Sequence, residues 1–295
     1  TRSYRETILA AGASTCSAVA IGGLLAATLL LAAASTVDAQ VIFHSPQSAN
    51  LPTAETLPKG QWLFEISHRF FPPVSDGADA LWGFDGPVIN RLGLAYAASD
   101  RVMLGVLRSN LDDNLELNAK ARVFEGGSDA VPVMIGLMGG VAWNTQAPTG
   151  PGRPGVEENE SQQYAQLMFN ALLGKRLAVG LVPTVFRNPS IDDAASETVF
   201  VLGLHGQLYV SDKMSFLAEW IVSEDRSGPQ RPDPNAQAHD SGSFGLEIET
   251  RGHFFKVVLS NQQRMNPTQF LGGTADEFTP GAWRIGFNIQ RKLVF

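Results

Sequence analysis

The stretch "NLELNAKARV", residues 114–123, separates its side chains into two classes at a period of two. Leu115, Leu117, Ala119, Ala121 and Val123 share one face, and Glu116, Asn118, Lys120 and Arg122 share the other. No helix face reproduces that sorting, because helical neighbours recur every 3–4 residues whereas strand neighbours recur every two. Working outward, "QWLFEISHRFF" at 61–71 behaves the same way, with Trp62, Phe64, Ile66 and Phe70 set against Glu65, Ser67 and Arg69. The last residues, "AWRIGFNIQRKLVF" at 282–295, alternate too and end on Phe295.

Twelve such segments are read along the chain, at about 61–71, 88–98, 101–109, 114–124, 132–143, 163–173, 176–187, 198–210, 213–223, 243–250, 253–262 and 282–295. Most approach the roughly 9–11 residues that a tilted strand needs to cross a bilayer. Their connections alternate in length. Tight turns fall at "SD" 99–100, "GK" 174–175, "SD" 211–212 and "RG" 251–252, with a moderate one at 125–131. Longer loops fall at 72–87, 144–162, 188–197, 224–242 and 263–281, with one short exception at 110–113. In an antiparallel meander successive connections emerge at opposite ends, so one end gathers turns and the other gathers loops, as in outer-membrane barrels.

The expected fold is therefore all-β: an up-and-down antiparallel transmembrane barrel of about twelve strands over residues 61–295. A soluble sandwich also alternates, but it hides its apolar face between two sheets. A membrane barrel turns that face to lipid and must close, since an open edge in hydrocarbon leaves backbone groups unpaired at several kcal/mol each. Aromatic residues near strand ends, namely Trp62, Phe70, Tyr96, Trp143, Tyr209, Trp220 and Trp283, fit interfacial girdles. A soluble exported binding protein is the competing class.

The N-terminal residues fit export. Arg2 and Arg5 precede the apolar run "LLAATLLLAAA" at 24–34, and "VDA" at 37–39 offers small residues for cleavage, so residues 1–39 read as a signal peptide. Residues 40–60, polar and proline-containing, read as a periplasmic lead segment. Cys16 lies inside the export segment, which leaves the exported part without thiol or disulfide chemistry. The chain carries 22 basic and 29 acidic residues and no long basic tract, which argues against nucleic acid as a partner.

Chemistry is harder to find. The five histidines show no metal-ligand spacing, so no metal and no cofactor are expected. Ser67 adjoins His68, but adjacent strand residues point to opposite faces, and no GxSxG occurs. An outer-membrane hydrolase is thus disfavoured. Acidic loop residues Glu157, Glu158, Glu160, Asp192 and Asp193 read as a solvated surface. Glu65, Arg69, Arg91, Glu116, Lys120, Arg122, Glu219, Glu247, Glu249, Lys256 and Arg284 are the expected lumen-facing set. Charges of mixed sign in a narrow lumen either pair and fill it, or line a polar conduit for a small molecule or ion. Wide aqueous porins usually have roughly 16–18 strands, which favours the filled interior.

Two resemblances add to this. The closing strand resembles the C-terminal strand of outer-membrane barrels, with Phe295, Leu293, Ile289, Phe287 and Ile285 in place and Arg291 breaking the series. That likeness implies recognition by the barrel-assembly machinery. The segments "TAETLPKGQWLFEISHRF", "LWGFDGPVINRLGLAYAASDRVMLGVLRSN" and "KARV" resemble a family of bacterial β-barrel proteins of unknown function. The motif positions are His68, Arg69, Phe70, Asp85, Arg108 and Ser109. The resemblance implies a barrel and export to the Gram-negative outer membrane, with lipid as the surrounding partner, and it implies no activity or cargo.

Overall fold

A computed structural model describes residues 41–145, 161–189, 197–223 and 238–295. The export segment 1–39, Cys16 and the acidic positions Glu157, Glu158, Glu160, Asp192 and Asp193 lie outside the described residues. Twelve strands follow one another: β1 Trp62–Phe70, β2 Val88–Ser99, β3 Val102–Ser109, β4 Asn114–Ser128, β5 Val131–Asn144, β6 Ser161–Leu173, β7 Leu177–Arg187, β8 Thr198–Ser211, β9 Met214–Val222, β10 Ser241–Thr250, β11 His253–Ser260 and β12 Arg284–Leu293. Each pairs antiparallel with its sequence neighbours, and β12 closes onto β1. The closing register sets Trp62 opposite Leu293 and Arg69 opposite Gly286. Closure removes every sheet edge, as a wall in hydrocarbon requires.

The faces sort as the alternation requires. In β4, Leu115 and Leu117 are exposed while Glu116, Lys120 and Arg122 are buried. The same holds round the ring: Leu92, Leu94, Leu104, Val185, Phe200, Leu204, Phe216 and Val257 are all exposed on the outer surface. A continuous apolar exterior of this size is untenable in water and is what acyl chains accommodate. The arrangement excludes the sandwich, in which these same residues would be hidden.

Turns and loops segregate to opposite ends. At the turn end, Gly174 and Lys175 both take positive φ (56° and 62°), the mirror-image turn that matches strand twist. Trp62 and Tyr96 meet there at 4.7 Å between ring centroids. At the loop end, Trp220 packs on Phe278 and Phe244 on Trp283, at 5.2 and 5.0 Å. Tyr209 departs from the expected girdle. It points inward, and its hydroxyl donates to the Ile42 carbonyl at 2.7 Å. Phe295 lies beyond the end of β12 and is 97% exposed.

The interior is filled rather than open. Residues 41–57, expected as a segment preceding the barrel, lie within it, and Ile42, Phe43, Ala49, Leu51, Ala54 and Leu57 are buried. From the other end, the β11–β12 loop turns inward, burying Met265 through Thr274.

Candidate functional site: the closed lumen

Residues 41–60 form a hairpin. Thr53 N–H donates to the Pro46 carbonyl at 3.1 Å and Ser48 N–H to the Leu51 carbonyl at 2.8 Å, which makes Ser48–Leu51 the tip. Both stems return to the turn end of the barrel. On one side, Thr56 and Lys59 bond Asp100 in the β2–β3 turn, at 2.7 and 2.8 Å. On the other, Ile42 reaches Tyr209 near the end of β8.

Proline, serine and asparagine leave this stretch with little regular structure of its own, so its backbone groups need partners. The barrel wall supplies them from all sides. Glu219 of β9 accepts from the N–H groups of Asn50 (2.9 Å) and Leu51 (2.7 Å), and from the Asn50 side chain (2.8 Å). Lys120 of β4 donates to the carbonyls of Pro46 (2.9 Å) and Thr53 (3.2 Å). Lys256 of β11 donates to the Ser45 hydroxyl (2.6 Å) and the Ser48 carbonyl (3.1 Å), and pairs with Glu247 at 3.2 Å. Asn170 of β6 accepts from Ala54 N–H at 2.6 Å, and Asn288 of β12 donates to the Ala49 carbonyl at 2.7 Å. Arg69 of β1 donates to the Asn50 side chain at 3.1 Å and to Asn288 at 2.7 Å. Contacts from so many strands place the hairpin inside the ring.

One acid belongs to the hairpin itself. Glu55 accepts from Ile42 N–H at 2.7 Å and Phe43 N–H at 3.1 Å, tying the two stems together. Burial pushes its carboxyl above the ordinary range, and the two backbone donors, with Arg122 and Lys120, oppose that shift.

The remaining expected lumen residues are placed as follows. Glu65 pairs with Arg91 and accepts from Gln290 at 3.0 Å, while Arg91 also donates to the Met265 carbonyl. Glu116 accepts from Tyr164 at 2.8 Å and from Thr268 N–H of the inturned loop at 3.2 Å. Arg122 donates to the Asp100 carbonyl at 3.0 Å. These groups, with Arg69, Lys120, Glu219, Glu247 and Lys256, are buried in the barrel. Two of the expected set sit at the mouths. Glu249 meets His44 at 3.2 Å near the turn end, half-buried. Arg284 binds Asp276 at 2.7 Å and the Phe71 carbonyl at 2.8 Å at the loop rim.

The motif positions separate. Arg69 belongs to the lumen. His68 points outward against Phe287, at 4.5 Å between ring centroids, and Phe70 packs edge-on against Phe84 at 5.2 Å. Arg108 and Asp113 pair at the loop end, Ser109 is buried and accepts from Leu111 N–H at 3.2 Å, and Asp85 is exposed. Ser67 faces inward and donates to Glu65 at 2.5 Å, so it makes no pair with His68. Asn50, Asn170, Asn288 and Tyr209 also bond within the closed lumen, and charge patterning alone does not reveal them.

The inturned loop completes the closure. Its single helical turn, Pro267–Phe270, contacts β5 and β6, half-way round the ring from β11 and β12 where the loop originates. Asn266 donates to Asn114 of β4 at 2.6 Å. Phe270 and Leu271 join Ile42, Phe43, Leu51, Met134, Met168, Val182 and Val201 in one apolar cluster. A cavity of about 80 Å³ remains between the hairpin and the wall, lined by Pro46, Asn50, Glu65, Arg91, Met103 and Lys120 among others.

Fold and site together define a membrane-spanning barrel of the bacterial outer-membrane type, with a closed lumen. The chain belongs to the family described as membrane bound beta barrel domain (DUF5777), which matches residues 43–293 and so includes nearly all of the hairpin. Comparison with curated proteins gives no match. Among solved structures, the chain is similar to the COG4313 outer membrane channel from Pseudomonas putida F1, at 15% identity over 81% of this chain and 98% of that one, with a TM-score of 0.47. It is also similar to the NanC porin, at 9% identity over 79% and 99% with a TM-score of 0.46. The KdgM porin stands at 8% identity over 80% and 99%, with a TM-score of 0.44.

Proposed function

We propose that this barrel is a gated channel for passive transport of a small polar solute, with the hairpin 41–57 as its removable plug. The observation that carries the reading is the hairpin's topology. Both stems lie at the turn end, where Thr56 and Lys59 meet Asp100 and Ile42 meets Tyr209, so the segment can withdraw without threading the ring. What holds it is chiefly wall side chains on hairpin backbone groups. Once it withdraws, Arg69, Lys120 and Glu219 line a polar path.

The test is conductance in planar bilayers. The full chain is expected to give rare, brief openings. A chain lacking residues 42–57, with the inturned stretch 265–274 replaced by a short glycine-serine linker because it also fills the lumen, gives stable current steps, and a synthetic peptide of residues 42–57 added from the turn side closes them. A truncated barrel that folds, as judged by heat-modifiable gel mobility, yet passes no current in any salt rules out the channel and leaves a filled, structural barrel. Assembly through the closing strand, expected from its alternation and terminal phenylalanine, is tested separately by loss of insertion when Phe295 is removed.

A further inference from the structure

The β1–β2 loop behaves opposite to the inturned β11–β12 loop. Its helical stretch Val74–Gly83 carries Leu81 and Trp82, followed by Phe84, and these three are 55%, 56% and 52% exposed. Leu81 and Trp82 also take left-handed backbone angles, at φ 45° and 52°. Bulky side chains rarely occupy that region, and they persist there only when surroundings hold them. Gly83, at φ 101°, completes the bend, and a Cβ on it would lie 2.9 Å from the Pro72 carbonyl oxygen.

The bend places these side chains beside the outer wall. Phe84 packs edge-on against Phe70 at 5.2 Å, and Phe70 neighbours Phe287 at 6.2 Å, both on the lipid-facing surface. The loop is pinned at its base, since Val74 N–H donates to the Trp283 carbonyl at 2.8 Å and Ser75 to the Gly281 carbonyl at 3.0 Å. Residues 71–90 contain no Lys or Arg and three aspartates, Asp76, Asp79 and Asp85. Attraction to anionic headgroups therefore does not hold the loop down. Tryptophan and phenylalanine are suited to the boundary between headgroups and acyl chains.

We infer that the Leu81–Trp82–Phe84 knuckle is a membrane-interface anchor, inserted into the leaflet at the loop end and continuous with the lipid-facing belt through Phe70 and Phe287. The lipid supplies the contacts that stabilise the left-handed bend, and the anchor sets the depth of that rim in the bilayer.

The full chain, reconstituted in neutral phosphatidylcholine vesicles, tests this. Trp62, Trp143, Trp220 and Trp283 are replaced by Phe so that Trp82 alone reports. Blue-shifted emission is expected, with strong quenching by lipid brominated near the headgroup end of the chain, weak quenching by aqueous iodide, and no change with salt. Where the fourfold variant does not fold, the difference in emission between the native chain and Trp82→Ala gives the same readout. Emission as in water with strong iodide quenching overturns the inference. So does shielding that appears only as protein density in the vesicle rises, which assigns the knuckle to a second copy of this chain.

Discussion

The inner wall of the barrel has two unlike halves. Strands β9–β12 and β1–β4 carry the buried charges: Glu219, Glu247, Lys256, Glu65, Arg69, Arg91, Glu116, Lys120 and Arg122. Strands β5–β8 contain no Asp, Glu or Lys at all, and their one arginine, Arg187, ends β7. Their inward side chains include Met134, Met168, Leu172, Val182, Phe186 and Val201. The hairpin matches both halves. Most of its wall-bonded backbone groups meet the charged half, with Ala54 N–H on Asn170 and the Ile42 carbonyl on Tyr209 as exceptions, and Ile42, Phe43, Leu51 and Ala54 join the apolar cluster of the other. The comparison shows that closure uses two kinds of interaction at once: directional bonds that fix the hairpin's register, and apolar packing that does not depend on its exact position.

Breaking the charged half has the largest expected effect. Glu219→Ala strips three hairpin donors of their acceptor and leaves buried polar groups unpaired, at about 3–5 kcal/mol. Susceptibility of the exposed Lys59 to trypsin, together with the urea midpoint, measures it. Outside the ring, Leu204→Arg puts a charge on the lipid face of β8 and is expected to cost about 2–4 kcal/mol if near the midplane, read from unfolding in vesicles. On the apolar half, Gly203→Ala is expected to cost about 1–3 kcal/mol by overpacking, because a Cβ there would come within 2.7 Å of Leu51. Tyr209→Phe removes the hydroxyl that donates to the Ile42 carbonyl, about 0.5–1.5 kcal/mol per bond lost, and should loosen the outer stem without shifting the tip.

The smallest effect is that of pH on Glu55. Its carboxyl sits above its usual 4.5, so the folded state holds the proton more tightly than the unfolded chain does. Its contribution is present below 4.5 and is lost as pH rises through the raised value. Glu55→Gln should flatten hairpin retention across that window, as followed by Lys59 proteolysis at a series of pH values.

The ring was legible because each strand repeats one instruction many times. In the β4 sequence alone, five apolar positions alternate with four polar ones. Nine of the eleven expected lumen charges are buried inside for the same reason. The hairpin was not legible. "FHSPQSANLPTAETLP" has no periodicity, and its apolar residues are too scattered to mark a face. Its place depends on bonds between residues such as Asn50 and Glu219, 169 positions apart, which no local pattern records. Tyr209 misled for a different reason. An aromatic near a strand end fits a girdle, but Tyr209 shares the parity of His205 and Gln207, both buried, while Leu204 and Leu208 face out, so alternation itself turns it to the lumen. The inturned loop shows no apolar run beyond Phe270–Leu271, and only the tertiary structure sends it across the mouth rather than outward.

Everything turns on the hairpin tip lying against β8 inside the ring. In a Cys16→Ser background, Leu51→Cys and Gly203→Cys place two thiols at a contact where a Cβ added to Gly203 would lie 2.7 Å from the Leu51 side chain. A short bis-thiol cross-linker applied to the membrane-embedded protein should join them in most molecules, producing a species that stays compact on heating. Free thiols at both positions, with Leu51→Cys labelled readily by a membrane-impermeant reagent, would contradict the account.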